Sequence, residues 1–237
     1  MPLVFSPLNE AVLDSAPKRL LPKQAFVMRQ LGTPPEIDQR MTQIVEEVLN
    51  SRGFKVIDAD ASTGSKDFLE RIVDLIRATG FTVAIFSHET RSTAIANIML
   101  ELGFALMCGK PLMIVKSEEA SAPSDITRTD WIVYHAGKEG EFKRKIEQAA
   151  KQMQDLVEYE DVLLKVALDA RSMDCAIAFE RANKGFLLSG EKRFVDAAGV
   201  ILGRLGEHVE GEKISDIERL RSEIKAFLLQ ARNATVG

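Results

Sequence analysis

The chain has 237 residues, 46% of them hydrophobic and 28% charged, with a net charge of −4. That length can bury one core of about 150 residues plus a smaller unit, and the charge offers no basic excess to draw nucleic acid or an acidic membrane. No apolar run approaches the ~18 residues of a membrane span and no signal-peptide pattern opens the chain, so a cytoplasmic protein with no nucleic-acid and no membrane partner is expected. Cys108 and Cys175 lie in apolar helical patterns and read as buried free thiols. The histidines and cysteines show no ligand spacing, so no metal and no cofactor are expected.

Residues 1–23 carry Pro2, Pro7, Pro17 and Pro22 and read as an N-terminal leader. Residues 25–28 are the first strand, followed by a turn-rich loop, 29–35, containing Gly32. A helix from Glu36 repeats Ile37, Met41, Ile44, Val45 and Val48 at helical spacing, and Gly53 closes it. Residues 54–57 are the second strand, and 58–66 a polar loop. Asp67 with Glu70 fits a capping box; Phe68, Ile72, Val73, Leu75 and Ile76 supply the buried face, and Gly80 ends that helix. Residues 81–86 are nearly continuous apolar, the mark of a central parallel strand.

After the loop 87–93, residues 97–110 read as a short buried helix, with Ile98, Met99, Leu102, Ala105 and Leu106 on its apolar positions. Gly109 suits the left-handed residue past its end, and Pro111 blocks continuation. Residues 112–115 and 131–134 are the last strands, separated by the loop 116–130, and 141–157 a closing helix. Alternation of this kind predicts an α/β domain over 24–157: a doubly wound, parallel five-stranded sheet of flavodoxin-like type.

From Glu158 the strands stop. Val162, Leu163, Val166, Ala170, Met173 and Ile177 repeat at helical spacing; so do Phe194, Val195, Ala198, Ile201, Leu202 and Leu205, then Ile217, Leu220, Ile224, Phe227 and Leu228. Gly185, Gly190 and Gly211 punctuate these runs. An all-helical domain of roughly three helices over 158–237 is expected. Three short helices bury little by themselves, so their stripes pack on one another, on the sheet domain or on a second chain, and symmetric pairing favours a homo-oligomer.

Open parallel sheets bind ligands beyond the carboxyl ends of their strands. The loops 29–33, 58–66, 87–93 and 116–125 meet there, beside the helix that carries Asn97 and, four residues on, Glu101. That spacing puts both side chains on one helical face. A carboxylate in so apolar a helix needs a partner, a raised pKa or a job; the plainer reading pairs Glu101 with a surface cation and makes Asn97 a cap.

The succession Phe26-Val-Met, Gly53-Phe-Lys-Val, Asp58-Ala-Asp60, Ile72 to Ile76, Val83-Ala-Ile and, above all, Asn97-Ile-Met-Leu-Glu-Leu-Gly followed by Gly109-Lys-Pro111 resembles the nucleoside 2-deoxyribosyltransferase-like family. That family is related to TIR-like nucleotide-binding and NAD-cleaving domains, and the resemblance covers about residues 24–152. It implies cleavage of an N-glycosidic bond, by hydrolysis or glycosyl transfer, in a nucleotide, nucleoside or NAD. Glu101 would then attack the anomeric carbon or stabilise its oxocarbenium character. Two departures stand out. Phe86-Ser87-His88 replaces an aspartate common after the third strand, and Gln30-Leu31-Gly32 replaces a Pro-Phe loop.

The substrate-binding candidates are Arg29, Gly32, Asp60, Ser87, His88 and Asn97. Arg29 either clamps phosphate or makes a surface ion pair. Asp60 either holds ribose hydroxyls or stabilises a turn. His88 acts as an acid, contacts the base or is simply exposed, and Ser65 and Lys66 read equally as phosphate contacts or as cap and surface. No Walker or dinucleotide fingerprint is present. The alternative function is a non-catalytic nucleotide-binding sensor, or an assembly protein with a vestigial crevice.

Overall fold

A computed structural model describes residues 17–59, 68–121, 131–169, 174–205 and 214–235. Asp60, Ser65, Lys66, Asp67, Ala170, Met173 and Gly211 lie outside the described residues. Internal contacts divide the chain into two units: Gln24–Met153, and the residues up to Lys23 together with those from Gln154 onward.

Five parallel strands form the sheet of the first unit: β1 (Leu21–Met28), β2 (Lys55–Ile57), β3 (Thr79–Phe86), β4 (Leu112–Ser117) and β5 (Ile132–Tyr134), in the order β2-β1-β3-β4-β5. Gln24 faces Lys55, Ile85 faces Val115 and Lys116 faces Val133 in the register. The helices are α1 (Glu36–Ser51), α2 (Phe68–Ala78), α3 (Ser92–Met107) and α4 (Glu139–Asp169). Right-handed crossovers put α1 and α4 on one face and α2 and α3 on the other. The contacts agree: Arg40 of α1 clasps Glu139 of α4 through two bonds of 2.7 and 2.5 Å, and α2 packs on α3. All eight residues of β3 are buried, which explains its nearly continuous apolar run. This is the expected doubly wound architecture, and its order reverses between β1 and β3.

Several boundaries differ from expectation for physical reasons. Gly80 lies inside β3 rather than ending α2. The buried Thr79 hydroxyl donates to the carbonyls of Leu75 and Ile76 (3.0 and 3.2 Å), so the helix closes without a left-handed glycine. Gly53 and Gly109 do take positive φ, 81° and 60°, just past α1 and α3. α3 starts at Ser92, five residues before Asn97, so Asn97 is no cap. Nor is α3 buried all round: Ile98, Leu102 and Ala105 face inward, while Leu106 and Met107 are 56% and 78% exposed. A helix lying on one sheet face has only one inward stripe. Cys108 and Cys175 are free thiols, half-buried rather than buried.

The closing helix is longer than expected. α4 has 31 residues and runs past the anticipated division at 157/158, because residues 141–169 contain neither proline nor glycine to stop it.

The second unit adds α5 (Cys175–Ser189), α6 (Lys192–Arg204) and α7 (Ile214–Thr235). The run expected through Ile177 is divided between α4 and α5, and Asp174 caps α5 by accepting from the backbone N–H groups of Ala176 and Ile177. Its core alternates small and aromatic residues: Ala178, Ala182, Phe186, Phe194, Ala198, Phe227 and Ala231 are buried, with Phe179 and Phe186 edge-on to Phe227. Gly190 ends α5 in the left-handed conformation, as anticipated. Gly185 does not punctuate; it lies within α5 because a Cβ there would sit 2.2 Å from the Phe194 ring. Residues 17–23 belong with these helices, and the Gln230 amide donates to the Pro17 carbonyl at 2.6 Å.

Candidate functional site

The strand ends at the carboxyl edge carry polar side chains in a column of buried sequence. β1 leads into Arg29 and Gln30, β2 into Asp58, β3 into Ser87 and His88, and β4 closes on Ser117. The order reverses between β1 and β3, the place at which such sheets take ligands.

Arg29 is committed. Its guanidinium meets the Asp58 carboxylate at 2.5 Å, joining the ends of β1 and β2. Glu46 of α1 lies within the influence of this pair; burial raises its pKa, with Arg29 opposing and Asp58 adding to the rise. Of the two readings of Arg29, the ion pair is the one present. Gly32 is exposed, with φ 79°.

The β1–α1 loop is tied to the β3–α3 turn by two buried side chains. Gln30, 2% exposed, donates from Nε2 to the Thr33 carbonyl (2.6 Å) and accepts the Arg91 N–H at Oε1 (2.9 Å). Asp38, in the first turn of α1 and 1% exposed, accepts the Thr90 hydroxyl at Oδ2 (2.7 Å), and Thr90 Oγ1 in turn accepts the Ser87 N–H (2.7 Å). Ser87 is fully buried, its hydroxyl accepting the Glu89 N–H at 3.2 Å. It therefore shapes the turn. His88 is partly open; its backbone N–H and Nδ1 both meet Ser117 Oγ at 3.2 Å, and Glu119 and Glu89 lie 3.4 and 3.8 Å from the ring nitrogens.

Glu101 stands apart from these groups. Nine residues of rise from Ser92 place it about 13 Å along α3, below the edge where the loops meet, with the exposed Asn97 one turn above it. It is half-buried, and its carboxylate makes no hydrogen bond or ion pair with a described residue. Burial alone pushes its pKa from the ordinary 4.5 to about 7. The structure thus gathers Arg29 with Asp58, Ser87 with Thr90, and His88 with Ser117, but brings none of them into hydrogen-bond contact with Glu101.

Gln30, Asp38, Thr90 and Ser117 escape sequence reasoning. Asp38 looks like any acid in a first turn, where the helix dipole welcomes it, and the exposed Glu36 two residues earlier has the same signature. Among the described residues no group of His, Cys, Asp and Glu could hold a metal ion, and no helix is long and apolar enough to cross a membrane. No protein-family model matches the chain, and no curated protein matches it.

Proposed function

We propose that the α/β unit cleaves the N-glycosidic bond of a nucleotide, nucleoside or NAD, as a nucleoside 2-deoxyribosyltransferase-like or TIR-like N-glycosidase. Glu101 is the nucleophile or oxocarbenium stabiliser. The observation that carries this reading is a half-buried carboxylate with no partner among the described residues, whose pKa of about 7 leaves it divided between its two forms near neutrality. In the ionised form it attacks the anomeric carbon while the C–N bond breaks and the base departs with the bonding pair, taking up a proton. Water or a second base then displaces the carboxylate, which completes hydrolysis or transfer.

Purified full-length protein is to be incubated with NAD, nucleosides and nucleoside monophosphates, reading free base. Release by the wild type, with a loss of at least a thousandfold (about 4 kcal/mol) in Glu101→Gln at unchanged circular dichroism, is the expected result. Turnover persisting in Glu101→Gln removes this residue from catalysis.

A second reading, a nucleotide-binding sensor in the same cytoplasmic setting, is favoured by the distance between Glu101 and the edge and by the commitment of Arg29 to Asp58. It predicts nucleotide binding without base release. Under either reading the second unit builds a homo-oligomer, supported by Tyr159, Val162 and Val166, which recur at spacings of three and four on α4 and are all exposed.

A further inference from the structure

We infer that Asp38 Oδ1 is a ligand acceptor at the β1/β3 crevice and that it takes the hydroxyl of a sugar. The acceptor is read from the geometry alone; the choice of a sugar rests on the glycosidase reading. Asp38 is 1% exposed, and its Oδ1 is buried with no hydrogen-bond partner among the described residues. A buried carboxylate oxygen left without a donor is costly. Thr90 has one hydroxyl proton and gives it to Oδ2, and Gln30 is turned to the Thr33 carbonyl through Nε2 and to the Arg91 N–H through Oε1, so neither side chain bonds Oδ1. An asparagine would accept from Thr90 equally well, so the second acceptor oxygen is surplus to the fold.

The chemistry of the missing donor is narrow. A phosphate is repelled by the carboxylate, and Arg29, the cation ending the neighbouring strand, is held by Asp58. A divalent cation needs several oxygen ligands, and the described residues offer no group of His, Cys, Asp and Glu that could hold one. A neutral hydroxyl fits: it donates one hydrogen bond to a charged acceptor, among the stronger kinds. In the loop that precedes α1, Gly32 and Thr33 are exposed, and nothing lies within 4 Å of the position a Cβ would take on Gly32.

The test is calorimetric binding of adenosine to the full chain, beside its 2′-, 3′- and 5′-deoxy analogues and adenosine 5′-monophosphate. Adenosine should bind the wild type, and loss of one particular hydroxyl should weaken it at least tenfold. Asp38→Asn should lose that same factor, bind adenosine and the critical deoxy analogue alike, and melt no lower than the wild type. Glu36→Gln, a neighbouring exposed acid, should bind as the wild type does. The inference fails if adenosine does not bind, if all three deoxy analogues bind as adenosine does, or if Asp38→Asn melts lower with unchanged affinity. The deoxy series needs no variant, so a poorly folding Asp38→Asn does not shelter the idea. Binding through Asp38 without base release would sink the glycosidase alone, and base release with indifferent deoxy analogues would sink this inference alone.

Discussion

The two units treat their buried acids in opposite ways. In the helical unit Glu160 and Asp161 are nearly inaccessible, and both are answered: Arg181 reaches Glu160 at 3.3 Å, while Arg193 and Lys165 reach Asp161 at 3.1 and 2.6 Å. In the α/β unit, among the described residues, Asp38 has one oxygen bonded and one without a partner, and the Glu101 carboxylate has neither a cation nor a hydrogen bond. Removing charge from water is costly, so a fold that needs only stability pairs its acids, as the helices do. Unanswered carboxylates are where a ligand or a reaction has something to contribute. The units also differ in packing. The sheet buries broad aliphatic strands, whereas the helices approach closely over alanine and Gly185.

Three measurements would break or sharpen that contrast. The largest effect is expected from Gly185→Ala. The new methyl would enter the space of the Phe194 ring, at 2.2–2.5 Å from three of its carbons, and overpacking of this kind costs about 3 kcal/mol. Native-state hydrogen exchange should accelerate in α5 and α6 and hold in β1 and β3. Equal protection in variant and wild type would show that the helical core is not tightly packed.

Next comes the pH dependence of stability that Glu101 imposes. Its folded pKa of about 7 lies above the ordinary 4.5. Between those values the folded protein holds a proton that the unfolded chain has released. The contribution to stability is therefore complete below pH 4.5 and falls as pH rises through 7, by about 2 kcal/mol after allowance for partial exposure. Denaturant titrations of wild type and Glu101→Gln between pH 5 and 8 should show this slope in the wild type and its loss in the variant. Parallel slopes would mean that Glu101 is solvated like any surface acid.

The smallest effect is in association. Light scattering of the full chain at micromolar concentration should give a mass above the 26.3 kDa of one copy, and Tyr159→Glu with Val166→Glu should lower it. A monodisperse monomer would leave those exposed side chains as ordinary surface.

Much of this molecule was written locally. The nearly continuous apolar residues of β3, the helical spacing of Met41, Ile44, Val45 and Val48, and the glycines at 53, 109 and 190 each declare an element or its end through short-range rules of period and backbone freedom, and together they specify the alternation that becomes the sheet. Glu101 was legible as a carboxylate in an apolar helix for the same reason. Tertiary structure decided what depends on neighbours distant in sequence. The Thr79 hydroxyl, not Gly80, closed α2; the Phe194 ring explained Gly185; and the uninterrupted α4 overran the division suggested at residue 157. Asp58 claimed Arg29 across 29 residues, and Thr90, 52 residues away, buried Asp38 and used only one of its oxygens. Whether a polar group is spent or unspent is a property of its partners, and the parallel sheet draws those partners from separate segments of the chain.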